Sequence, residues 1–383
     1  MIRFLTAGES HGPAISGILE GMPANVPINF ERVQYELKRR MQGFGRGGRM
    51  HIETDQIETI SGVRFSKTLG SPISFIIRNK DWENWQQEMA IVHGETGKEF
   101  TKPRPGHADL AGSMKYKFDD LRNVLERSSA RETAMRVAVG AFVKELLYEF
   151  DIHIYSHIIQ IGTVKVDESA IQDKIKGDIN TLADQSEVRC LDAKTSQAMI
   201  EYIKETKSAG DTVGGIIQVI IRNVPAGLGS YVHWDRKLDS QLAAAIISIN
   251  AIKGVQVGAG FHSAHLRGSK FHDEIYYDKK GFHRRSNNAG GIEGGMSTGE
   301  DIVLYVMKKP IPTLMKPLES VDIKTKESFK AHKERSDVTA VPAAGVIAES
   351  AAAPVIANAL LEKFGADTLD DIKLSYNNYI QRI

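Results

Sequence analysis

The 383-residue chain, 42% hydrophobic and 25% charged, is long enough for two or three folding units or one large one and is ordinary in make-up for a soluble globular protein. Lys and Arg total 49 against 48 for Asp and Glu, a net charge of +1, which argues against a protein that coats a polyanion. One cysteine, Cys190, excludes an intrachain disulfide and a thiolate metal cluster and fits a reducing cytosol, and no run of eighteen uninterrupted apolar residues offers a membrane span.

In chain order, MIRFLTAGESHG has too few apolar residues to be expected as a secretory signal. Alternation predicts a strand at 13–20, and three- and four-residue apolar spacing predicts a helix at 31–41. Strands follow at 57–65 and 72–78, then a helix at 129–150 and a strand at 152–164. The polar, helix-prone 165–210 reads as a peripheral helical subdomain. A strand at 213–223, a helix at 235–253, strands at 255–261 and 301–308 and a helix at 343–364 complete the pattern. Between them, 40–55, 93–112, 262–299 and the more mixed 320–341 lack periodicity. Long irregular segments of this kind are usually functional.

A sparse internal repeat is visible. AISGILEGMPANVPINFERVQYELKRRMQG and GGIIQVIIRNVPAGLGSYVHWDRKLDSQLAAAIISINAIKG share an alternating strand, Pro-Ala, a loop, and an aromatic followed by acid-Arg opening a helix. Two related sheet-and-helix halves on a shared core are expected.

Several familiar motifs lack their context. Gly43, Gly45 and Gly48 satisfy G-x-G-x-x-G, but a helix precedes them where a dinucleotide site needs a strand. GMSTG satisfies G-x-S-x-G, yet a glycine loop precedes Ser297 and a strand follows, unlike a nucleophile elbow. The pairs His262/His265 and His153/His157 have no third ligand at metal spacing, so no metal site is expected.

Five constellations remain. GESHG (8–12) puts His11 in a glycine-flanked turn, where an imidazole can exchange a proton near neutral pH. RPGHADLAG (104–112) places Arg104 and His107 in one loop. ERSSARETAMR (126–136) reads as a capping box, Ser129 with Glu132, with Arg127, Ser128 and Arg131 around a helix start that favours an anion. NNAGGIEGGMSTG (287–299) allows close backbone approach to a ligand, with KKPIPT (308–313) beyond the next strand. HKERSDVTAVPAAGVIAES (332–350) sets Arg335 and Asp337 before a helix. Arginine-bearing loops, two loop histidines and no evident nucleophile suit a multiply anionic small molecule and an organic cofactor.

The segments AGESHGPA, RRMQGFGRGGRM, RPGHADL, RSSARETA, INAIKG, GGIEGGMSTGEDI, KPIPT and RSDVTAVPAAGVIAE, in that order and over essentially the whole chain, resemble the chorismate synthase family. The resemblance implies an α+β fold, a β-α-β sandwich with helices packed between two antiparallel sheets, as a single domain over 1–383. It implies 1,4-anti elimination of phosphate from 5-enolpyruvylshikimate 3-phosphate to give chorismate, with reduced FMN (FMNH2) and no net redox change, in a cytoplasmic homotetramer. By motif, His11 would protonate the departing phosphate, His107 would sit by the flavin, and Asp337 would take part in deprotonation at flavin N5. Ser10, Arg40, Arg46, Arg49 and Arg131 would hold the substrate. Arg127, Ser128, Ser129, Asn250, Ala251, Gly294, Lys309, Pro310, Ile311, Pro312, Thr313 and Arg335 would bind FMN. The reduced flavin would come from NADPH bound at Arg40 and Arg46 or from an external flavin reductase. Two rivals are an NADPH:FMN reductase and a nucleic-acid binder using KRRMQGFGRGGR (38–49); the charge balance and the lone aromatic Phe44 in that run disfavour the latter.

Overall fold

The computed structural model describes residues 1–47, 53–92, 99–279, 281–331 and 337–383. A four-stranded antiparallel sheet runs in the order Arg3–Ala7, Ala14–Glu20, Ile73–Arg78, Ile57–Thr59. A five-stranded antiparallel sheet runs Ile252–Val257, Ile302–Lys308, Gly215–Arg222, His153–Ile161, Val164–Lys165. The helices that position the site are α1 (Phe30–Met41), α2 (Asp109–Tyr116), α3 (Arg122–Ser128) and α4 (Thr133–Tyr148), with a long helix at Val341–Phe364.

Alternation sets each sheet's buried face. Ile15 and Leu19 face inward while Ile18 is exposed, and Ile73, Phe75 and Ile77 repeat the pattern on the neighbouring strand. α4 lies on the strand Ala14–Glu20 and packs against the long helix, which in turn packs on His153–Ile161 and Gly215–Arg222. The two helices approach closely at Gly140, where a Cβ would sit 2.4 Å from Cβ of Ser350. By length and composition the long helix could cross a bilayer, but 83% of its most apolar window is buried inside the protein. One hydrophobic cluster extends from Ile2 to Ile372.

The two copies of the repeat occupy comparable positions. Each strand is interior to its sheet, and α1 and the helix Leu238–Ile247 both rest on the long helix. The acid-Arg pair Glu31–Arg32 lies inside α1, whereas Trp234–Arg236 forms a separate short turn before its helix.

Three differences from the sequence reading have physical causes. The helix expected over 235–253 stops at Ile247; Ala251 adopts φ +67, and Ile252–Val257 is a strand. An apolar run alone does not distinguish the two states. The helix expected from 129 begins at Thr133 after a tight turn at Ala130–Glu132. Residues 165–210, expected at the periphery, send Asp184 and Arg189 into a buried ion cluster.

Candidate active site

The loop GESHG connects the first two strands of the four-stranded sheet. Gly8 has φ +106 and a Cβ there would meet the Ala14 carbonyl oxygen at 2.4 Å, so only glycine makes this turn. The Ser10 N–H donates to the Glu126 carbonyl (3.0 Å), bringing the loop onto the end of α3. His11 is then gripped by the Glu126 carboxylate, through its backbone N–H (2.8 Å) and through Nδ1 (2.9 and 3.0 Å to the two oxygens). Its ring packs on Trp85 with centroids 4.1 Å apart, and Nε2 lies 3.9 Å from Asp81. Glu126 is 2% exposed. Burial alone would raise its carboxyl, but the two hydrogen bonds from His11 and the nearby Arg122 charge hold it below the usual range.

A second histidine is held in the same manner. His107 Nδ1 lies 2.5 Å from Oδ1 of Asp109 at the start of α2. Arg104 donates to the same carboxylate through Nε (2.9 Å) and its backbone N–H (3.1 Å). Asp109 is fully buried; burial pushes its carboxyl up, and the bonds from His107 and Arg104 overcome this and bring it down to about 2.

The arginines come next. Arg40 reaches from α1 to Thr133 Oγ1 (3.1 and 3.0 Å), the Ala130 carbonyl (3.1 Å) and Asp55 Oδ2 (3.1 Å). Arg131 takes the other Asp55 oxygen, Asn79 Oδ1 (2.9 Å) and Glu53 (3.5 Å). Asp55 thus bridges both guanidinium groups, from a left-handed backbone (φ +41) that Asp tolerates better than most residues. Burial, with Arg131 and Arg46 nearby, pushes Arg40 down to about 10, although Asp55 opposes it. Arg46 Nε stands 3.3 Å from Asp337 Oδ2, and Asp337 Oδ1 accepts the Gly47 N–H at 2.5 Å. The loop after α1 is thereby tied to the segment that opens the long helix.

His11, Trp85, Glu126, Arg104, His107, Arg40, Arg131, Glu53, Arg46 and Asp337 border one cavity of about 770 Å³, within the usual range of small-molecule sites, with Asp55 and Asp109 behind them. Its wall also carries Ser10, Ser128, Ser129, Asn250, Ala251, Lys309, Ile311, Pro312 and Thr313. Ser129 Oγ donates to Ser10 Oγ (3.2 Å), and Asn250 Nδ2 to the Ser128 carbonyl (3.0 Å). Lys309 donates to the Gly106 carbonyl at 2.5 Å. Three expected residues are not on the wall. Arg127 turns to Thr6 and Gly8, Gly294 sits in a hairpin turn, and Pro310 is exposed away from the lining. Arg49 and Arg335 lie outside the described residues.

The expected capping box is not formed. Ser129 accepts from the Arg131 N–H (3.3 Å), but Glu132 bonds Thr6 Oγ1 (3.1 Å) and Arg136 (2.8 Å). Arg127 and Ser128 end α3 and do not flank a helix start. Ser297 accepts from the Leu228 N–H (2.8 Å) and donates to the Pro225 carbonyl (2.6 Å), a turn-building role. Glu126, Asp109, Asp55, Glu53 and Trp85 were not assigned roles from sequence. A carboxylate two residues after His107 was the one available signal.

Residues 2–361 match the model of the family described as chorismate synthase. The chain is 55% identical to the chorismate synthase of Alkaliphilus metalliredigens, covering 99% of each. It is 54% identical to that of Sulfurihydrogenibium sp., over 100% of this chain and 99% of the relative. A solved structure titled as the crystal structure of chorismate synthase aligns with a TM-score of 0.80 at 41% identity, covering 100% of this chain and 98% of that one. The chain therefore belongs to the chorismate synthase family, lyases that eliminate phosphate from 5-enolpyruvylshikimate 3-phosphate to give chorismate.

Proposed function

We propose that the cavity described above is where this elimination occurs, with reduced FMN as cofactor. The observation that carries the reading is the gathering of His11–Glu126, His107–Asp109 and Asp337–Arg46 around one opening that also exposes Arg40 and Arg131. The substrate carries two carboxylates and a phosphate, about three to four negative charges at neutral pH. Arginine forks suit such a molecule.

In this reading His11 gives a proton to the departing phosphate oxygen. Glu126 occupies Nδ1, which leaves Nε2 as the nitrogen that performs the transfer. Arg46, Arg131 and Ser10 hold the anionic groups, with Arg49 a further candidate. Arg40 is anchored by Thr133 and Asp55 and acts as a fixed charge in the wall. Reduced FMN, when bound, supplies transient electron density to the allylic system and recovers it with the hydrogen, so the overall reaction is redox-neutral. The wall suits a flavin. Leu125, Ile249, Ile311 and Pro312 offer apolar surface, while Ser128, Ser129, Asn250, Lys309 and Thr313 offer polar atoms. A Cβ on Gly106 would stand 3.4 Å from the Lys309 ammonium and 3.5 Å from Pro312, narrowing the wall there. His107 faces the same space, and Asp337 is the carboxylate suited to take a proton from a cofactor N–H. Ala251 and Arg335 complete the proposed FMN set; Arg127, Gly294 and Pro310, which the resemblance also implies, stand off this wall.

The two-sheet packing with helices between is read as a β-α-β sandwich with an internal pseudo-repeat, forming one domain. A cytoplasmic homotetramer belongs to the same reading. The reduced flavin comes from NADPH, with Arg40 and Arg46 as candidate contacts, or from an external reductase. The test is anaerobic: protein, photoreduced FMN and the substrate should yield chorismate and phosphate. No turnover with reduced flavin present would overturn the reading, and NADPH consumption without substrate would favour a flavin reductase.

A further inference from the structure

The strand Ile302–Lys308 buries every second residue: Ile302, Leu304, Val306 and then position 308. An apolar side chain would continue that row, but the chain has lysine. Lys308 is only 6% exposed, and it lines the cavity where the row runs out between Gly215 and Ile252 of the neighbouring strands. Among the described residues no hydrogen bond or ion pair holds its ammonium. The contrast with other lysines is plain. Lys144, also buried, is clasped by Glu36 and Glu349 at 2.8 Å each, and Lys309 donates to Gly106. Buried charges in folded proteins are normally paired. The fold offers no reason for an inward ammonium without a partner at the mouth of an anion-rich substrate's pocket.

We infer that Lys308 is an additional anion-binding residue of this cavity, whose partner is a phosphate or carboxylate oxygen of a bound molecule. The inference rests on the reading of the cavity given above. The charged groups around Lys308 are Arg46 from the loop after α1, Asp337 before the long helix, and the adjoining Lys309; Lys253 lines the same wall, and the long helix contributes Ala343, Ala344 and Ile347. Burial first, then Arg46 and Lys309, push the Lys308 ammonium down to about 8 against the opposing effect of Asp337. An arriving oxyanion reverses that balance and restores the charge.

The sign follows. The amine binds an anion only when protonated, so affinity falls as pH rises through about 8. A phosphate monoester, with a second pKa of about 6, is already a dianion from pH 7 to 9 and does not mask the effect. The expected loss between those pH values is up to about tenfold.

The experiment titrates the full-length protein with FMN, riboflavin, shikimate 3-phosphate and shikimate, at pH 7 and pH 9. Wild type is compared with Lys308→Met, which keeps the volume and removes the charge, and with Lys308→Arg, which keeps the charge. Lys308→Met should weaken one phosphorylated probe by about tenfold or more at pH 7 and abolish its pH dependence, while Lys308→Arg retains most of the affinity. Loss for FMN with riboflavin unchanged assigns the flavin phosphate. Loss for shikimate 3-phosphate with shikimate unchanged assigns the substrate phosphate, and loss for both assigns the carboxylate. Equal affinity of wild type and Lys308→Met for all four probes would overturn the inference alone. A wild-type protein that binds none of them would overturn the cavity reading with it. Should Lys308→Met fail to fold, as read by circular dichroism, flat wild-type affinity from pH 7 to 9 is the refuting result.

Discussion

Arg39 and Arg40 are adjacent in α1 and both are buried, yet they belong to opposite kinds of environment. Arg39 contacts Glu349 (2.9 Å twice), Glu36 (2.9 Å) and Asp184 (2.7 Å), within a closed set completed by Lys144 and Arg189: three cations and three anions. Burial pushes Arg39 down, but Glu349 and Glu36 prevail and it ends above its ordinary range. Arg40 is bonded to one carboxylate, Asp55, with Asp337 a second nearby and Arg131 and Arg46 as cationic neighbours; burial prevails and it ends below its ordinary range. Arg39 is held by several carboxylates inside the fold, whereas Arg40 bonds one carboxylate, a hydroxyl and a carbonyl at the edge of the cavity.

That contrast can be broken by mutation. The largest expected effect is Arg39→Met, which leaves three buried carboxylates, Glu36, Glu349 and Asp184, with only Lys144 and Arg189 to offset them. Urea unfolding should show a loss of about 3–5 kcal/mol. Arg40→Met should cost clearly less stability and should weaken anion binding instead; equal losses at the two positions would erase the distinction. Next comes His11→Ala, expected to retain flavin binding and lose about 10²–10⁴ in turnover. Activity surviving within about tenfold would remove His11 from the proton-transfer role. Glu126→Gln keeps the shape but not the charge. It should cost less turnover than His11→Ala, because the ring stays in place while its hydrogen-bond acceptor is weakened, and a loss as large as that of His11→Ala would contradict a supporting role for Glu126. The smallest effect concerns Asp109. Its folded value, about 2, lies below its ordinary one, so it contributes stability above about pH 4 that is lost as pH falls toward 2. Asp109→Asn should flatten the acid limb of stability by about 2 kcal/mol, measured as denaturation midpoints between pH 5 and 2.

The sequence made the strands and the large helices legible because burial on one face imposes periods of two and 3.6 residues. It made His11, His107, Arg131 and Asp337 legible because each stands in a short motif. The partners were less accessible. Glu126 lies 115 positions from His11, and nothing local indicates that a turn between two strands will settle on the end of α3. Asp55 lies 15 positions from Arg40 and 76 from Arg131, and nothing local marks it as the bridge between them. Ser129–Glu132 misled because the local spacing fitted a cap, while the Thr6 hydroxyl and Arg136 offered Glu132 better partners. Lys308 was overlooked because it adjoins a recognisable motif, and the alternation that marks it becomes informative only once the strand's inward face is known.

The bridging position of Asp55 bears on which molecules can occupy the cavity. An entrance lined with unshielded guanidinium groups would retain any small phosphate or carboxylate in its surroundings. With Asp55 and Glu53 already drawn against Arg40 and Arg131, an incoming molecule has to outbid resident carboxylates. One negative charge does this poorly, whereas three or four do it well. The pocket therefore sorts its visitors by how many charges they carry, before any contact reads their shape.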